Sequence, residues 1–354
     1  MRRIVNHPFF IRLMHWEYWP FHVVYGILYP YWFWLCLKAR SFFFFNTANP
    51  TVKNGGFLME TKLEIYDLIP PHFYPKTLFF KKDTPPEEVW QKLSPSNFSF
   101  PLIGKPDIGM RGLAVKQLNS IQELNEYIST SKVDFLIQEF VSYPMEAGIF
   151  YYRFPGEKKG HISGIVSKEF LTVEGDGVST IYELLQKDKR SILQLKSLKK
   201  ACNETLHNVL KKGEQKVLVP YGNHARGAKF LDASNRIDAQ LETTIDSICQ
   251  QIDRFYYGRL DMRFNSWEEL KEGKNFSIIE LNGAGSEPTH IYDPEHSIFF
   301  AWKEIIRHFN ILYRISKLNH HPQKLPYLKF SAGVQMFREN AQYIKLLSEG
   351  RQRA

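Results

Sequence analysis

Two short stretches of the sequence decide the fold: Gly258-Arg259-Leu260-Asp261-Met262-Arg263 and Ile278-Ile279-Glu280-Leu281-Asn282. In each stretch polar and apolar side chains alternate, as in a β-strand whose alternate residues share a face. The connection between them, residues 265–275, is rich in Glu and Lys and is predicted to be solvated. The two strands are therefore predicted to pair as a hairpin. That pairing would place a guanidinium, two carboxylates and an amide on one surface.

The polar side chains of this hairpin have the chemistry of a magnesium site. Asp261, Glu280 and Asn282 offer hard oxygen ligands, and Mg²⁺ favours a few such ligands together with nucleotide phosphates. Arg259 would then meet phosphate oxygens or a developing anion. Taken alone, the same residues also suit an ordinary hairpin with a surface salt-bridge cluster, so this motif leaves both interpretations open.

A glycine-bearing loop earlier in the chain is suited to phosphate binding. Residues 104–112 read GKPDIGMRG and end a predicted strand over 102–106. Glycine lets backbone N–H groups approach phosphate oxygens, and Lys105 and Arg111 add positive charge. By itself such a loop is equally an ordinary glycine-rich turn.

A third motif is the stretch Leu136-Ile137-Gln138-Glu139-Phe140-Val141, which predicts an apolar strand with a carboxylate near its end. An extended segment of this kind can offer backbone groups to an adenine, while the nearby Glu146 reaches ribose hydroxyls. Alone it also describes a buried strand. The order of the three motifs along the chain is what gives it weight.

In that order, the loop, the strand and the Arg-x-Asp…Glu-x-Asn hairpin resemble the ATP-grasp ligases. Residues 57–296 look like D-alanine–D-alanine ligases and their relatives, and residues 173–181, VEGDGVSTI, resemble a passage of cyanophycin synthetases. Jointly the motifs are specific. The resemblance implies the ATP-grasp fold, in which two α+β lobes sandwich ATP.

The resemblance also implies a role for each matching residue. ATP and two Mg²⁺ ions are expected, with Mn²⁺ as a substitute, and Asp261, Glu280 and Asn282 would hold the metal with Glu280 as the bridge. Arg259 would steady an acyl phosphate. The expected ATP-binding residues are Lys105, Gln138, Glu139, Phe140, Val141, Glu146 and Lys168.

The sequence departs from the family pattern in two places. Met110 and Arg111 stand in the covering loop where many relatives carry small serines, so loop closure or substrate contact is expected to differ, with Arg111 as a candidate catalytic residue. Residues 46–100 contain too little regular α/β pattern for the usual N-terminal domain, so they are predicted to be a truncated region before the ATP-grasp domain.

Two glycine-flanked loops are candidates for substrate recognition. In residues 221–229, YGNHARGAK, Arg226 is a candidate catalytic residue that could clamp a carboxylate or phosphate beside His224. Residues 283–290 follow the metal strand directly and could receive the amine. For each histidine in these loops, a structural or surface role is as good an explanation.

Composition narrows the partners of this 354-residue chain. The net charge of +9 suits phosphate-bearing substrates or an anionic membrane, and without a basic block or a recognition motif it does not predict nucleic-acid binding. Cys36, Cys202 and Cys249 lie far apart, which fits a reducing compartment and weighs against zinc or redox chemistry.

Residues 1–45 form an aromatic segment unlike the rest of the chain. Residues 18–37 carry no formal charge, and about 20 apolar residues can just span a bilayer. Pro20, Pro30 and the many aromatic rings are more typical of the headgroup region than of the hydrocarbon centre. We favour a membrane-embedded or interfacial anchor over a buried aromatic helix of the N-terminal lobe. ATP chemistry then predicts a cytoplasmic protein attached to the cytoplasmic face of the membrane.

The remaining pattern predicts an α+β body with largely antiparallel sheets, an ATP-grasp domain over 101–320 and a C-terminal helix within 321–354. The predicted activity is an ATP- and Mg²⁺-dependent ligase that joins a small-molecule or lipid-linked carboxylate to an amine through an acyl phosphate. Two alternatives stay open, a phosphotransferase of the same fold that forms no amide and a membrane-associated nucleotide-binding regulator. The sequence predicts neither the substrates' identity nor the oligomeric state.

Overall fold

The computed structural model describes residues 7–109, 112–219 and 222–352, so the candidate catalytic residue Arg111 lies outside the described residues. Within these ranges the strands form three antiparallel sheets. The strands are β1 (Thr77–Phe80), β2 (Leu102–Pro106), β3 (Lys116–Leu118), β4 (Phe135–Glu139), β5 (Met145–Tyr152), β6 (His161–Glu169), β7 (Leu171–Glu174), β8 (Gln215–Val219), β9 (Lys229–Asp232), β10 (Tyr257–Phe264) and β11 (Phe276–Asn282).

Several helices begin at side chains that cap a helix N-terminus. Thr61 and Thr180 each form a capping box with a glutamate three residues later, and Ser297 accepts a hydrogen bond from a first-turn N–H. The helices are α1 (Pro8–Met14), α2 (Phe21–Gly26), α3 (Tyr29–Ala39), α4 (Lys62–Leu68), α5 (Pro86–Leu93), α6 (Ile121–Thr130), α7 (Ile181–Lys187), α8 (Lys189–Ile192), α9 (Leu195–Leu206), α10 (Ala239–Gln250), α11 (Trp267–Lys271), α12 (Ile298–Gln323) and α13 (Phe330–Gln352).

The first lobe is a four-stranded sheet in the order β1-β4-β2-β3. One face packs its apolar side chains against α5 and α6, with Phe135 and Ile137 in the same core as Val89 and Leu124. Because successive strand residues point to opposite faces, Lys105 and Gln138 point away from that core. This uncovered face is turned towards the second lobe.

The second lobe is a five-stranded sheet in the order β11-β10-β5-β6-β9. Leu260 and Met262 of β10 enter the largest core together with Leu241 and Ile245 of α10. The alternate residues of β10 therefore face the first lobe. The predicted α+β fold with antiparallel sheets in two lobes is confirmed.

A small two-stranded sheet, β7-β8, extends from the second lobe. Its apolar side chains Leu171 and Val173 share a core with α7 and α9, including Ile181, Leu185 and Leu198. Towards the C-terminus, α12 ends at Gln323 and α13 begins at Phe330, so the region predicted as one C-terminal helix holds the end of one helix and the whole of another.

Part of the aromatic N-terminal segment is buried within the protein. Phe44 and Phe45 pack in one core with Ile311 and Ile315 of α12. A second core joins α2 to the start of α12 through the apolar residues Val24, Tyr25, Leu28, Ala301 and Ile305. For these residues the buried alternative describes the structure better than the favoured anchor, although their packing partner is α12 and not the N-terminal lobe.

Other apolar residues of the segment are exposed, among them Phe33, Trp34 and Leu37. The longest helix of the segment, α3, has 11 residues. Across the part of the chain that the structure describes, no helix is both long enough and apolar enough to cross a membrane.

Candidate functional site

The hairpin expected from the sequence is present, and it brings the candidate metal ligands together. Strands β10 and β11 pair antiparallel, with Asp261 opposite Glu280 and Arg259 opposite Asn282. The register shifts by a bulge directly after Asp261, and such bulges commonly re-aim side chains next to functional sites. The roles predicted for these four residues remain predictions, but their placement on one surface is observed.

An unbroken row of alternating charges runs along the cleft face of the second sheet. The Arg259 guanidinium donates to both oxygens of Asp261, with Nε 2.7 Å from Oδ1 and Nη2 3.0 Å from Oδ2. Lys168 Nζ lies 3.3 Å from Asp261 Oδ2 and 3.1 Å from Glu146 Oε1. Arg263 Nε lies 3.3 Å from the other oxygen of Glu146.

Burial and pairing act in opposite directions on Asp261. Burial disfavours the carboxylate, but Arg259 and Lys168 outweigh that effect and lower the pKa of Asp261 to about 2. Asp261 is therefore ionised at neutral pH, as a metal ligand must be.

The first sheet contributes a buried lysine with neutral partners. Lys105 Nζ donates to the Tyr66 hydroxyl at 2.7 Å and to Gln138 Oε1 at 2.8 Å, and it lies 3.4 Å from the carbonyl oxygen of Ile279 on β11. Burial, with a smaller effect from the nearby Lys62, lowers the pKa of Lys105 to about 7. This side chain thus bridges the two lobes and titrates near neutral pH.

The start of helix α4 and the residue before its N-cap add two charged residues that the sequence motifs did not include, Lys62 and Glu60. Lys62 Nζ lies 3.2 Å from Glu280 Oε1. Burial acts to raise the pKa of Glu280, but Lys62 together with Lys105 and Arg259 outweighs it and lowers that pKa. Burial raises the pKa of Glu60 to about 7, and within the described residues its Oε2 has no hydrogen-bond partner. Glu60, Lys62, Glu280 and Asn282 line a small cavity of about 40 Å³ beside the main cleft.

The phosphate-binding loop predicted after β2 approaches the metal hairpin closely at Gly109. A Cβ atom there would strike the Lys62 ammonium and lie 3.3 Å from Glu280 Oε1. Any other residue would have to displace the flexible end of the Lys62 side chain and so disturb its contact with Glu280.

The loop around residues 222–228 forms the opposite rim. Arg226 donates to the carbonyl oxygens of Gly112 at 2.8 Å and Val115 at 3.4 Å, which ties this loop to the end of the phosphate-binding loop. His224 stacks on Tyr18, and burial lowers its pKa to about 4. The imidazole is therefore neutral at pH 7, which favours a structural role for His224.

Residues 283–290 are placed by backbone contacts. Ala284 and Gly285 donate their N–H groups to the carbonyl oxygens of Gly55 and Gly56 at 3.0 and 2.8 Å. His290 is buried, with Nε2 3.6 Å from Glu304, and it does not line the main cleft. Its placement favours the structural explanation.

The aromatic N-terminal segment forms a further wall of the site. Glu17 is buried and lies 2.8 Å from Arg190, while Trp16 stacks on Tyr292. Trp16 Nε1 also donates to a backbone carbonyl of the second lobe, that of His296, at 2.7 Å.

These elements enclose one cavity of about 940 Å³ between the two lobes. Most of the site residues predicted from the sequence line it, namely Lys105, Gln138, Glu139, Phe140, Val141, Glu146, Lys168, Arg226, Arg259, Asp261 and Glu280. Asn282 lines the adjoining small cavity instead. The predicted residues that the structure describes are thus gathered around one cleft.

The donor atoms at the hairpin suit a magnesium ion. Two opposed carboxylates and an amide are the oxygen ligands that Mg²⁺ takes in small numbers from proteins. The side-chain nitrogen of Asn282 is buried and has no hydrogen-bond partner in the described part of the chain, so its amide is not committed to another group. Among the described residues no group of three or more His, Cys, Asp or Glu is arranged as a metal centre.

Sequence reasoning assigned no site role to five residues near the cleft: Glu17, Glu60, Lys62, Arg190 and Arg263. The period-two rule placed Arg263 on the same face of β10 as Arg259 and Asp261, but it was not selected as a site residue. The other four reach the site through packing between distant segments, for which the sequence carries no local pattern.

Neither a family model nor a curated protein matches the sequence. Among solved structures, the chain is similar to a bifunctional glutathione synthetase from Pasteurella multocida, with 13% identity over 66% of this chain and 34% of that one and a TM-score of 0.36. It is similar to the VanG D-Ala:D-Ser ligase from Enterococcus faecalis, with 16% identity over 72% of this chain and 61% of that one and a TM-score of 0.40. For a D-alanine–D-alanine ligase from Bacillus anthracis the values are 14%, 75%, 68% and 0.39.

The chain thus spans about a third of the length of the glutathione synthetase and 61% of the D-Ala:D-Ser ligase. The fold and the site together define a two-lobed α+β protein with a charged cleft between its sheets. Its activity is inferred below from the side chains of that cleft.

Proposed function

We propose that the chain is an ATP- and Mg²⁺-dependent ligase of the ATP-grasp type, which joins a carboxylate to an amine through an acyl phosphate. One observation carries the proposal: three motifs that lie far apart in the sequence line one cavity between two lobes. At about 940 Å³ the cavity is near the upper end of the range for ligand sites, so it has room for a nucleotide and a second molecule.

The proposed nucleotide lies between the hinge after β4 and the hairpin β10-β11. Arg263 Nη1 donates to the carbonyl oxygen of Val141 at 2.7 Å and so fixes the hinge that would meet the adenine. Glu146 accepts from Lys168, from Arg263 and from the N–H of Gly222. Because the oxygens of Glu146 are engaged in this way, Glu139, which also lines the cavity, is a second candidate for the ribose contact.

The cations of the cleft would serve the phosphates. Lys62, Lys168 and Arg259 now neutralise Glu280 and Asp261. When bound, Mg²⁺ would supply charge neutralisation to the triphosphate, held by Asp261 and Glu280 with Asn282 beside them. The three cations would then face phosphate oxygens, where fixed positive charge stabilises the transfer of a phosphoryl group to the carboxylate.

Attack of the amine on the acyl phosphate completes the proposed reaction. Arg259 is the group placed to stabilise the tetrahedral intermediate, because its guanidinium lines the cavity and is held in place by Asp261 and by the carbonyl oxygen of Glu287 at 3.1 Å. Most of the rate enhancement would come from positioning and electrostatics.

The test is a screen for ADP release by purified protein with Mg²⁺, ATP, a panel of carboxylates and a panel of amines. We expect ADP release that requires both substrates and yields an amide. Glu280→Gln should lower the rate at least about 100-fold, in the range for loss of a main electrostatic group. Glu88→Gln, the same change at an exposed residue of α5, is the matched control. ADP release without amide formation would identify a phosphotransferase, and ATP binding without turnover a regulator.

We also propose that an exposed aromatic patch attaches the protein to the cytoplasmic face of a membrane. The rings of Phe33 and Phe42 lie 6.4 Å apart, and those of Phe42 and Phe330 lie 5.7 Å apart, so three exposed side chains are contiguous. Lys38 and Lys329 flank them in sequence and are exposed. Aromatic rings beside cations suit the interface of an anionic bilayer.

Co-sedimentation with vesicles tests this attachment. We expect binding to vesicles of phosphatidylglycerol and phosphatidylcholine that weakens with salt, and loss of binding in the double variant Phe33→Ser/Phe42→Ser. Val178→Ser, at an exposed apolar residue away from the patch, should bind normally. Equal sedimentation of the double variant would contradict the proposal.

A further inference from the structure

The cleft between the lobes is lined by two chemically different sets of residues. One set carries the charges described above. The other consists of apolar side chains, most of them from the first 21 residues of the chain: Phe9, Leu13, Trp19, Pro20, Phe21, Leu113 and Leu193. We call the first five of these the apolar wall. A nucleoside triphosphate is polar along most of its length, so binding of ATP does not explain why this part of the cavity is apolar.

The apolar wall is fixed in place by the residues between its two halves. Leu13 precedes and Trp19 follows the turn Trp16–Tyr18, which is bound to the second lobe by the Glu17–Arg190 ion pair and two ring stacks. Trp19 Nε1 donates to the carbonyl oxygen of Leu13 at 3.1 Å, which joins the halves to each other. These contacts therefore hold the apolar wall in a defined position in the cleft.

Apolar side chains of the wall remain open to solvent at the cleft. Phe9 is 61% exposed and Leu13 is 56% exposed. Contiguous apolar surface in a cavity is typical of a site for an apolar ligand group, because covering it releases water from both partners.

The charged residues near the apolar wall indicate which charge the polar end of that ligand carries. Arg12, Arg226 and Arg259 line the same cavity. The one carboxylate of the wall segment, Glu17, is already paired with Arg190. Positive charge beside apolar surface favours an amphiphile with an anionic head.

We infer that the carboxylate substrate is a fatty-acid-like amphiphile, whose carboxylate reaches Arg259 and whose apolar chain lies along the wall of Phe9, Leu13, Trp19, Pro20 and Phe21. The inference rests on the proposed function, since it names the substrate class of that site. It assigns the N-terminal segment a role in substrate specificity.

The test is isothermal titration of the protein, saturated with a non-hydrolysable ATP analogue and Mg²⁺, with butyrate, octanoate, dodecanoate and dodecylamine. Affinity should rise with chain length by up to about fourfold per methylene covered, the value for burial of one CH₂ group. Dodecylamine, with the same chain and the opposite charge, should bind more weakly than dodecanoate. Equal affinity for butyrate and dodecanoate would overturn the inference.

Variants of the apolar wall provide the second part of the test. Phe9→Ser and Leu13→Ser should each weaken dodecanoate binding about tenfold, as expected for loss of one partly covered apolar side chain. Phe299→Ser and Leu346→Ser carry the same changes at residues that are 72% and 46% exposed and do not line the cleft, so they should bind like the parent protein. Dodecanoate binding that is unaffected by the wall variants would refute the assignment of the wall.

The two proposals fail in different ways. If the ATP analogue binds and ADP release proceeds with short polar carboxylates alone, the inferred substrate class is wrong and the ligase proposal stands. If the protein binds no ATP analogue, the ligase proposal is wrong. Dodecanoate titration without nucleotide would then still show whether the wall binds an apolar chain.

Discussion

Binding of ATP should be coupled to protonation of Lys105. In the described structure its ammonium has three neutral oxygen partners and no carboxylate within bonding distance, and burial lowers its pKa to about 7. A triphosphate in the proposed position would bring negative charge to this buried amine. Because an opposite charge favours the protonated form, the pKa of Lys105 should return towards its ordinary value of 10.5 when ATP binds.

The size of the effect follows from these pKa values. At pH 8 a group with a pKa of about 7 is only about one tenth protonated, so restoring its charge takes up about 0.9 of a proton per nucleotide bound. At pH 6 Lys105 is already charged in the free protein, and the uptake should fall to about 0.1. Proton uptake should therefore grow with pH across this interval.

Calorimetry in buffers of different ionisation enthalpy measures this uptake directly. The heat of binding an ATP analogue, plotted against buffer ionisation enthalpy, has a slope equal to the number of protons taken up. We expect the slope at pH 8 to fall by about 0.9 in Lys105→Met relative to the parent protein. Protons exchanged by ATP and Mg²⁺ themselves are common to both proteins and cancel. Equal slopes in the two proteins would show that Lys105 does not titrate with the nucleotide.

The same buried amine predicts a dependence of folding stability on pH. Since its pKa is lower in the folded chain than in the unfolded chain, the unfolded state binds more protons between about pH 7 and pH 10.5, and stability gains from Lys105 as the pH rises through that window. Lys105→Met should lack this gain, which amounts to about 5 kcal/mol over the full interval. Urea unfolding at pH 6.5 and pH 9.5 should show about 3 kcal/mol of this gain in the parent protein and none in Lys105→Met.

Three further predictions concern the carboxylates and the metal. Glu17→Gln should lower the free energy of unfolding by about 2 kcal/mol, since half-buried Arg190 loses its ion-pair partner and keeps only neutral ones such as the Ala228 carbonyl oxygen, whereas Glu88→Gln should leave it unchanged. Glu60→Gln should raise stability at pH 8 by roughly 3 kcal/mol in urea unfolding, because burial raises the Glu60 pKa and the parent protein loses stability as the pH rises from 4.5 to about 7. EDTA should abolish ADP release, and added Mg²⁺ or Mn²⁺ should restore it; activity that persists in EDTA would contradict the proposed metal role of Asp261 and Glu280.

The hairpin β10-β11 could be predicted because the alternation of polar and apolar residues that indicates it lies within each strand. Alternation with a period of two assigns Arg259, Asp261 and Arg263 to one face of a strand whatever surrounds it, and the pairing partner lies a short connection away. The same reasoning located Lys105 and the hinge at residues 138–141. Lys62 could not be found in this way. Its contact with Glu280 joins residues more than two hundred positions apart and depends on how α4 packs against the sheet.

The N-terminal segment shows where hydropathy stops being informative. Residues 18–37 carry no formal charge and are mostly apolar or aromatic, and that composition fits burial in lipid as well as burial in protein. Val24 and Leu28 are buried in protein because they pack against the apolar face of α12, with Ala301 and Ile305. No feature of the N-terminal segment itself reveals this partner. Phe33 and Leu37 lie on the same stretch of chain, yet they have no such partner and are exposed.

Glu17 bears both on the burial of the N-terminal segment in protein and on its contact with the cleft. A buried carboxylate within an aromatic stretch opposes insertion into hydrocarbon, where an ionised group is costly, but it forms a strong contact with a guanidinium on the second lobe. The adjacent Tyr18 ring stacks on His224, and the loop that carries His224 also carries Arg226, which is bonded to the end of the phosphate-binding loop. Any displacement of the segment therefore changes the shape of the nucleotide cleft as well as the apolar wall. The N-terminal segment is built as a part of the site, and a bound amphiphile and a bound nucleotide should each stabilise the arrangement that the other requires.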